Sequence, residues 1–229
     1  MKSMSKFLII FIGLLSINGI SATTASANIS ASIAPPLVIE SLSNETVNGK
    51  TTVVKWVKTI TDQTQTIQRK TPSENETITG LSQTESWSFK NEQKSIMVTT
   101  NNDTATVVLT QNEQTSTKNI KLNNIPLLYP PSFFLKPFIQ SDERKLVTWS
   151  ISKDDGSFRQ MILTKLNKET VTINDKTYDC LKVEMKPTGF AGMAWKAYYW
   201  FELPSGNFIK YFGKKGPPGT PDYTIEKIN

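Results

Sequence analysis

The chain has 229 residues, 38% of them hydrophobic, and carries a formal net charge of +6. It contains no histidine and a single cysteine, Cys180. Those counts exclude a Ser-His-Asp or Cys-His catalytic centre, any histidine-bound zinc, copper or iron, and an internal disulfide framework. No D-x-D-x-D-G calcium loop is present either, so neither a metal nor a cofactor is expected.

The N-terminus reads as an export signal. Lys2 and Lys6 precede an apolar run over 7–15, and Ala25-Ser26-Ala27 fits an A-x-A cleavage site. The run is shorter than a membrane span needs, so cleavage after Ala27 and a periplasmic or secreted protein are expected. No transmembrane span is expected after cleavage, and no cysteine follows the run to carry a lipid. Removing Lys2 and Lys6 with the leader leaves a charge of +4. The lysines are scattered and form no basic run, which argues against a nucleic-acid partner.

Residues 28–36 are small and polar and end in Pro35-Pro36, a flexible leader to one domain over 37–229. From there, period-2 alternation interrupted by turn residues predicts an antiparallel all-β domain with at most one short helix. Strands are expected over 52–59, behind the Asn48-Gly49 turn, and over 62–70 as a wet-faced strand. The segment 86–90 places Trp87 and Phe89 on one side. Residues 95–100 and 104–110 flank Asn101-Asn102-Asp103 as a hairpin with a three-residue loop, and 118–122 follows.

The segment 125–139 (IPLLYPPSFFLKPFI) is the most apolar stretch of the domain, yet its four prolines exclude a central strand. Ser132 is placed to cap one helical turn over 133–136 that Pro137 ends. The segment reads as a connector plugging one end of the sheet, or as the mouth of an apolar-ligand site. Strands then follow over 145–152, 158–166, 169–173 and 177–185. Along 145–152, Val147, Trp149 and Ile151 share a face, and Leu181, Val183 and Met185 face inward on 177–185. Cys180, in the same strand, reads as a small structural filler.

The C-terminal stretch is an aromatic hairpin, 195–203 and 207–212 around Pro204-Ser205-Gly206, closed by a strand over 223–228. Trp195, Ala197, Tyr199, Phe201 and Leu203 share one face; Tyr198 and Trp200 lie on the other. Rings on both faces predict a strand covered on both sides. Phe208, Lys210 and Phe212 are expected to alternate with Ile209 and Tyr211, and 213–221 to form a glycine/proline turn.

The motifs TYDCLKVEM, YYWFELPSGNFIKYFG and GPPGTPDYTIEKI resemble the C-terminal half of exported bacterial proteins grouped as DUF3108. That group is similar in fold to the LolA/LppX-like periplasmic proteins, over a resemblance here spanning 145–229. The resemblance implies a strongly curved antiparallel sheet forming a half-barrel or open barrel around an apolar cavity. It brings no catalytic residues, and by analogy with lipid and lipoprotein carriers it implies an apolar ligand.

The resulting expectation is a non-catalytic periplasmic protein that binds or carries a lipid or acyl chain. The groove would be lined by Trp149, Trp195, Tyr199 and Phe201, with Phe133, Phe134 and Leu135 near its mouth. Solid filling of the barrel by those rings is the competing reading. The alternative function is a structural or protein-interaction module of the cell envelope, with an envelope protein as partner. A carboxylate hydrolase using Asp154, Asp155 and Glu143 is the third, although Asp154-Asp155 also reads as turn chemistry and Glu143 as loop solvation. Asn44, Asn75 and Asn102 head N-x-T triplets that matter only in a eukaryotic secretory route.

Overall fold

The computed structural model describes residues 35–189, 195–214 and 219–228. The expected signal and most of the leader lie outside the described residues, as does the centre of the expected glycine/proline turn. The described chain forms fourteen strands and two short helices. The first half is β1 (Leu37–Val47), β2 (Lys50–Ile60), β3 (Gln65–Lys70), β4 (Asn75–Gly80), β5 (Ser86–Lys90), β6 (Lys94–Asn101), β7 (Thr104–Gln111) and β8 (Gln114–Lys121). After α1 (Pro131–Phe134) and α2 (Lys136–Gln140) come β9 (Lys145–Ile151), β10 (Phe158–Ile173), β11 (Lys176–Pro187), β12 (Ala197–Glu202), β13 (Phe208–Lys214) and β14 (Asp222–Ile228).

All strands belong to one antiparallel sheet in the order β8-β7-β6-β5-β4-β3-β2-β1-β14-β13-β12-β11-β10-β9. Two meanders are therefore joined through their outermost members, β1 and β14, which pair from Leu42↔Ile228 to Val47↔Tyr223. Among the described residues, 37–41 of β1 pair only with β2. β8 and β9 are the two ends of the sheet and do not pair, so the twisted sheet is an open barrel.

Turn chemistry sets the hairpins. Asn48-Gly49, Asn112-Glu113 and Asn174-Asp175 are two-residue turns with both residues at positive φ, the conformation that matches strand twist and favours Asn, Asp and Gly. The β6–β7 turn is also of two residues, not three, because Asn101 pairs directly with Thr104. Asn102 there has φ 51°.

Three further expectations need correction. The segment 62–70 is not wet-faced: its strand begins at Gln65 and buries Gln65, Ile67 and Arg69 on the inner face. On β13 the alternation fails at a bulge, where Trp200 pairs with Lys210 but Phe201 with Phe208. The extra residue places Phe208 and Tyr211 both against the inner rings of β12 while Ile209 packs on the outer face. The connector holds two helices. Ser132 caps neither, and Pro137 lies in the first turn of α2, where a missing N–H costs nothing.

The connector is pinned from two sides near the start of its apolar run. Trp149 N–H donates to the Pro126 carbonyl at 2.8 Å and Leu128 N–H to the Trp149 carbonyl at 3.1 Å, a short parallel bridge to β9. Across the barrel, the Thr84 hydroxyl donates to the Tyr129 carbonyl at 3.0 Å and accepts the Tyr129 N–H at 2.9 Å. Leu127, Leu128, Phe134, Leu135, Phe138 and Ile139 are thereby buried with the inner rows of β3–β7 and β9–β12 in one core.

Candidate ligand site

The inner face is not uniformly apolar. Arg69 on β3 grips Glu45 on β1 through two bonds, Nε to Oε1 at 3.0 Å and Nη2 to Oε2 at 2.6 Å, and reaches Glu74 at 2.7 Å. Burial disfavours the guanidinium charge, but the bonds and charge of Glu45 and Glu74 outweigh it and hold Arg69 above its usual range. Nearby, Glu76 is almost fully buried, accepting the indole N–H of Trp87 at 2.8 Å and the ammonium of Lys153 at 2.6 Å. Lys153 comes from the β9–β10 turn, which thus folds across that end of the barrel. Its Gly156 leaves no spare room against Val107 and Ile96.

Around these charges stand Tyr129, Tyr199, Tyr211 and Tyr223. The Tyr199–Tyr211 and Tyr211–Tyr223 ring centroids are 4.9 and 5.8 Å apart, and Tyr129 meets Trp87 edge-on at 5.1 Å. Burial pushes all four phenols upward. Tyr129 and Tyr223 nonetheless keep accessible surface, as does Trp56, which packs on Phe133 at 5.3 Å.

A hollow lies where the sheet ends meet. Trp149, Ile151 and Phe158 face away from Thr148, Met161 and Leu163, and both sets are covered. The β7–β8 end therefore overlaps the β9–β10 end as in a scroll. Between the two layers is a cavity of about 420 Å³. Val107, Leu109, Ile120, Trp149 and Phe158 supply its apolar walls; Ser116, Lys118, Asp155 and Ser157 stand among its polar lining. Trp149 is held upright there by its indole N–H, which donates to the Leu122 carbonyl at 2.9 Å. Phe158 lies 6.2 Å from its ring.

Of the seven residues expected to form the groove, Trp149 alone lines this cavity. Phe133 is half-buried beside Trp56, and Trp195 is half-buried against the core. Phe134, Leu135, Tyr199 and Phe201 are core residues, the last stacked on Tyr199 at 6.2 Å and wedged against Phe208. The structure does not gather the seven around one hollow. Val107, Leu109, Ile120 and Phe158 escaped notice because their strands read as ordinary half-buried strands, and nothing local tells which strands overlap.

The outer face of the C-terminal half carries its own cluster. Cys180 is fully buried with Ile173, Tyr178, Trp200 and Ile209. Burial, with Glu202, Asp179 and Glu169 adding repulsion, pushes its thiol up to about 11. Trp200 donates its indole N–H to Glu169 at 2.5 Å, and Lys182 lies 5.0 Å from both the Trp200 and Tyr198 rings. Of the acids of the hydrolase reading, Asp155 accepts the Ser157 N–H at 3.0 Å, and the backbone N–H of Asp154 donates to the Ser152 hydroxyl at 3.1 Å, both turn bonds. Glu143 borders a polar hollow with Arg144, Lys145 and Thr164. Among the described residues, no group of three metal-ligating side chains converges, and no helix is long and apolar enough to cross a membrane.

No family model matches the chain, and no curated protein matches it, so the DUF3108 resemblance stands on its motifs alone. Among solved structures, a β-barrel-like DUF1849 protein from Brucella abortus superposes with a TM-score of 0.55 at 8% identity. The match covers 85% of this chain and 96% of that one. It shares the fold. The hypothetical lipoprotein YmcC of Escherichia coli matches at 0.39 and 9% identity, covering 82% of this chain and 86% of its own. A LolA superfamily protein of Nitrosomonas europaea matches at 0.29 and 6%, covering 85% and 84%. Scores of that size say only that strongly curved sheets resemble one another.

Proposed function

We propose that this chain is an exported, non-catalytic periplasmic protein, DUF3108-like, that binds or carries an apolar ligand such as a lipid or acyl chain. Its leader would end at Ala27 and its single domain span 37–229. The observation that carries this reading is the apolar cavity between the overlapping sheet ends. At about 420 Å³ it is of the size that small-molecule sites occupy, with apolar walls and a few polar groups at the side. Burial of an acyl chain contributes about 0.8 kcal/mol per methylene, so roughly ten carbons supply roughly 8 kcal/mol before the cost of immobilising the chain. No charged contact is required for that.

The test is titration of delipidated protein with the fluorescent fatty acid cis-parinaric acid, read through its own emission and energy transfer from tryptophan. Saturable binding is expected, and Leu109→Trp, which fills the cavity from β7, should weaken it at least tenfold while leaving the melting temperature within a few degrees. Absence of saturable binding, or unchanged binding by Leu109→Trp, removes this site. One observation favours the envelope-module alternative: β8 is an unpaired edge whose residues, Ile120 apart, are exposed, a ready template for a partner strand.

A further inference from the structure

A second feature of the inner face has no residue in common with the overlap cavity. In the register of β1, β2 and β3, Lys58 stands between Ile39 and Ile67. Ile67 is fully buried in the core, and strand alternation therefore points Lys58 to the interior as well. Two residues back on the same face is Trp56, against Phe133 of α1. Lys136 opens α2 just beyond, its stem laid along the β12–β13 turn so closely that a Cβ on Gly206 would sit 3.1 Å from its Cγ.

The contact of Trp56 with Phe133 brings Lys58, two residues on from the one, and the exposed Lys136, three residues on from the other, into one neighbourhood. Burial, then the Lys136 charge, lowers the pKa of Lys58 from its usual value. Neither lysine has a carboxylate partner among the ion pairs of the described residues. A half-buried cation beside a second cation and without a counter-charge is an uncompensated cost that an anion would remove. Along the same inner row, Ile39 and Leu37 are 43% and 58% exposed, where β1 pairs with no described residue of β14. Ile60 lies opposite Leu37. A positive pair thus adjoins an open apolar strip.

We propose that Lys58 and Lys136 hold the anionic end of an amphiphile whose apolar chain lies on Trp56, Phe133, Ile39 and Leu37. The site recognises a carboxylate or phosphate joined to a hydrocarbon chain. It goes beyond the overlap cavity, which lacks such a lysine pair, and it stands or falls by different variants.

The experiment compares cis-parinaric acid with its methyl ester, which has the same chain and no charge, at low salt and pH 7. Wild-type protein should prefer the acid by about tenfold, the size of a charge-assisted contact. The preference should persist in Leu109→Trp, where only the overlap cavity is filled, and in Lys55→Gln, which removes an exposed lysine from the outer face. It should vanish in Lys58→Gln/Lys136→Gln. Equal affinity of wild type for acid and ester overturns the proposal, and so does a preference that survives the double substitution. Displacement of the acid by millimolar inorganic phosphate alone would also overturn it, showing a free-anion site. If the double variant does not fold, salt decides with the wild-type protein: the preference must shrink between 50 and 500 mM NaCl, and constancy refutes it.

Discussion

Replacing Arg69 by Met tests whether the inner face near β1–β3 is dry. The substitution keeps much of the stem volume, including the part beside the Trp56 ring, 5.8 Å from the guanidinium carbon. It removes three charge-assisted bonds, two of them to Glu45, whose side chain is 8% exposed. Glu45 is then a buried carboxylate with no cation. Breaking a buried pair from one side costs about 3–5 kcal/mol. For a domain of this length each kilocalorie lowers the melting point by roughly 2–4 °C, so a drop on the order of 10 °C is expected. Glu45→Leu should cost a comparable amount by stranding Arg69. Because each single variant already loses the whole interaction, Glu45→Leu/Arg69→Met should be at least roughly 2 kcal/mol more stable than the sum of the two effects implies. Urea unfolding of the four proteins, followed by far-UV circular dichroism, closes the cycle. Losses under about 1 kcal/mol that simply add would refute the reasoning, since they are what exposed pairs give, and would mean that water fills this part of the barrel.

Thr84→Val should cost roughly 2–4 kcal/mol, because the Tyr129 N–H and carbonyl both lose the buried hydroxyl that serves them; amide exchange at Tyr129 should rise in step, and a silent variant would mean the connector is not pinned there. Gly80→Ala is expected to prevent folding of the β4–β5 loop, since a methyl group would stand 1.8 Å from the Gln83 carbonyl oxygen at a φ of 150°; expression of a normally stable Gly80→Ala protein would contradict it. Alkaline pH should destabilise the fold. The folded Cys180 thiol titrates near 11 against an ordinary 9.0, so its contribution is complete below pH 9 and is lost as pH rises through 11, with the raised tyrosines acting in the same sense. Melting curves between pH 7 and 11 should fall accordingly, more shallowly in Cys180→Ala, and identical slopes would refute the thiol's share. At neutral pH native Cys180 should resist iodoacetamide until the protein unfolds, which intact mass measures directly.

Strand chemistry was legible from the residues because the signals are local. Asn48-Gly49 turned where it was expected to, and the rings on both faces of β12 are covered, Tyr199 and Phe201 being buried within and Trp200 without. Polar side chains misled. Gln65 and Arg69 share the buried face of Ile67, and partners elsewhere on the chain make that burial tolerable: the Leu81 carbonyl for Gln65, and Glu45 and Glu74 for Arg69. The bulge at Ile209 depends on which residue of β12 it faces, a cross-strand fact with no composition signal. Trp149 was legible because it shares a face with Val147 and Ile151 on an alternating strand. Its cavity mates lie on strands 27 or more residues away in sequence or across a turn, brought there by curvature alone.

Leaving β8 and β9 unbonded has a mechanical consequence. A closed barrel has its girth fixed by its number of strands and its stagger, and enlarging it means snapping a whole ladder of amide bonds. Here the two margins are joined by no strand ladder but by the packing of Leu109, Trp149 and Phe158 and by single polar contacts, the Trp149 indole to the Leu122 carbonyl and Lys153 to Glu76. A change of girth would therefore cost dispersion contacts, which are individually small, and those few polar bonds, while leaving every strand ladder whole.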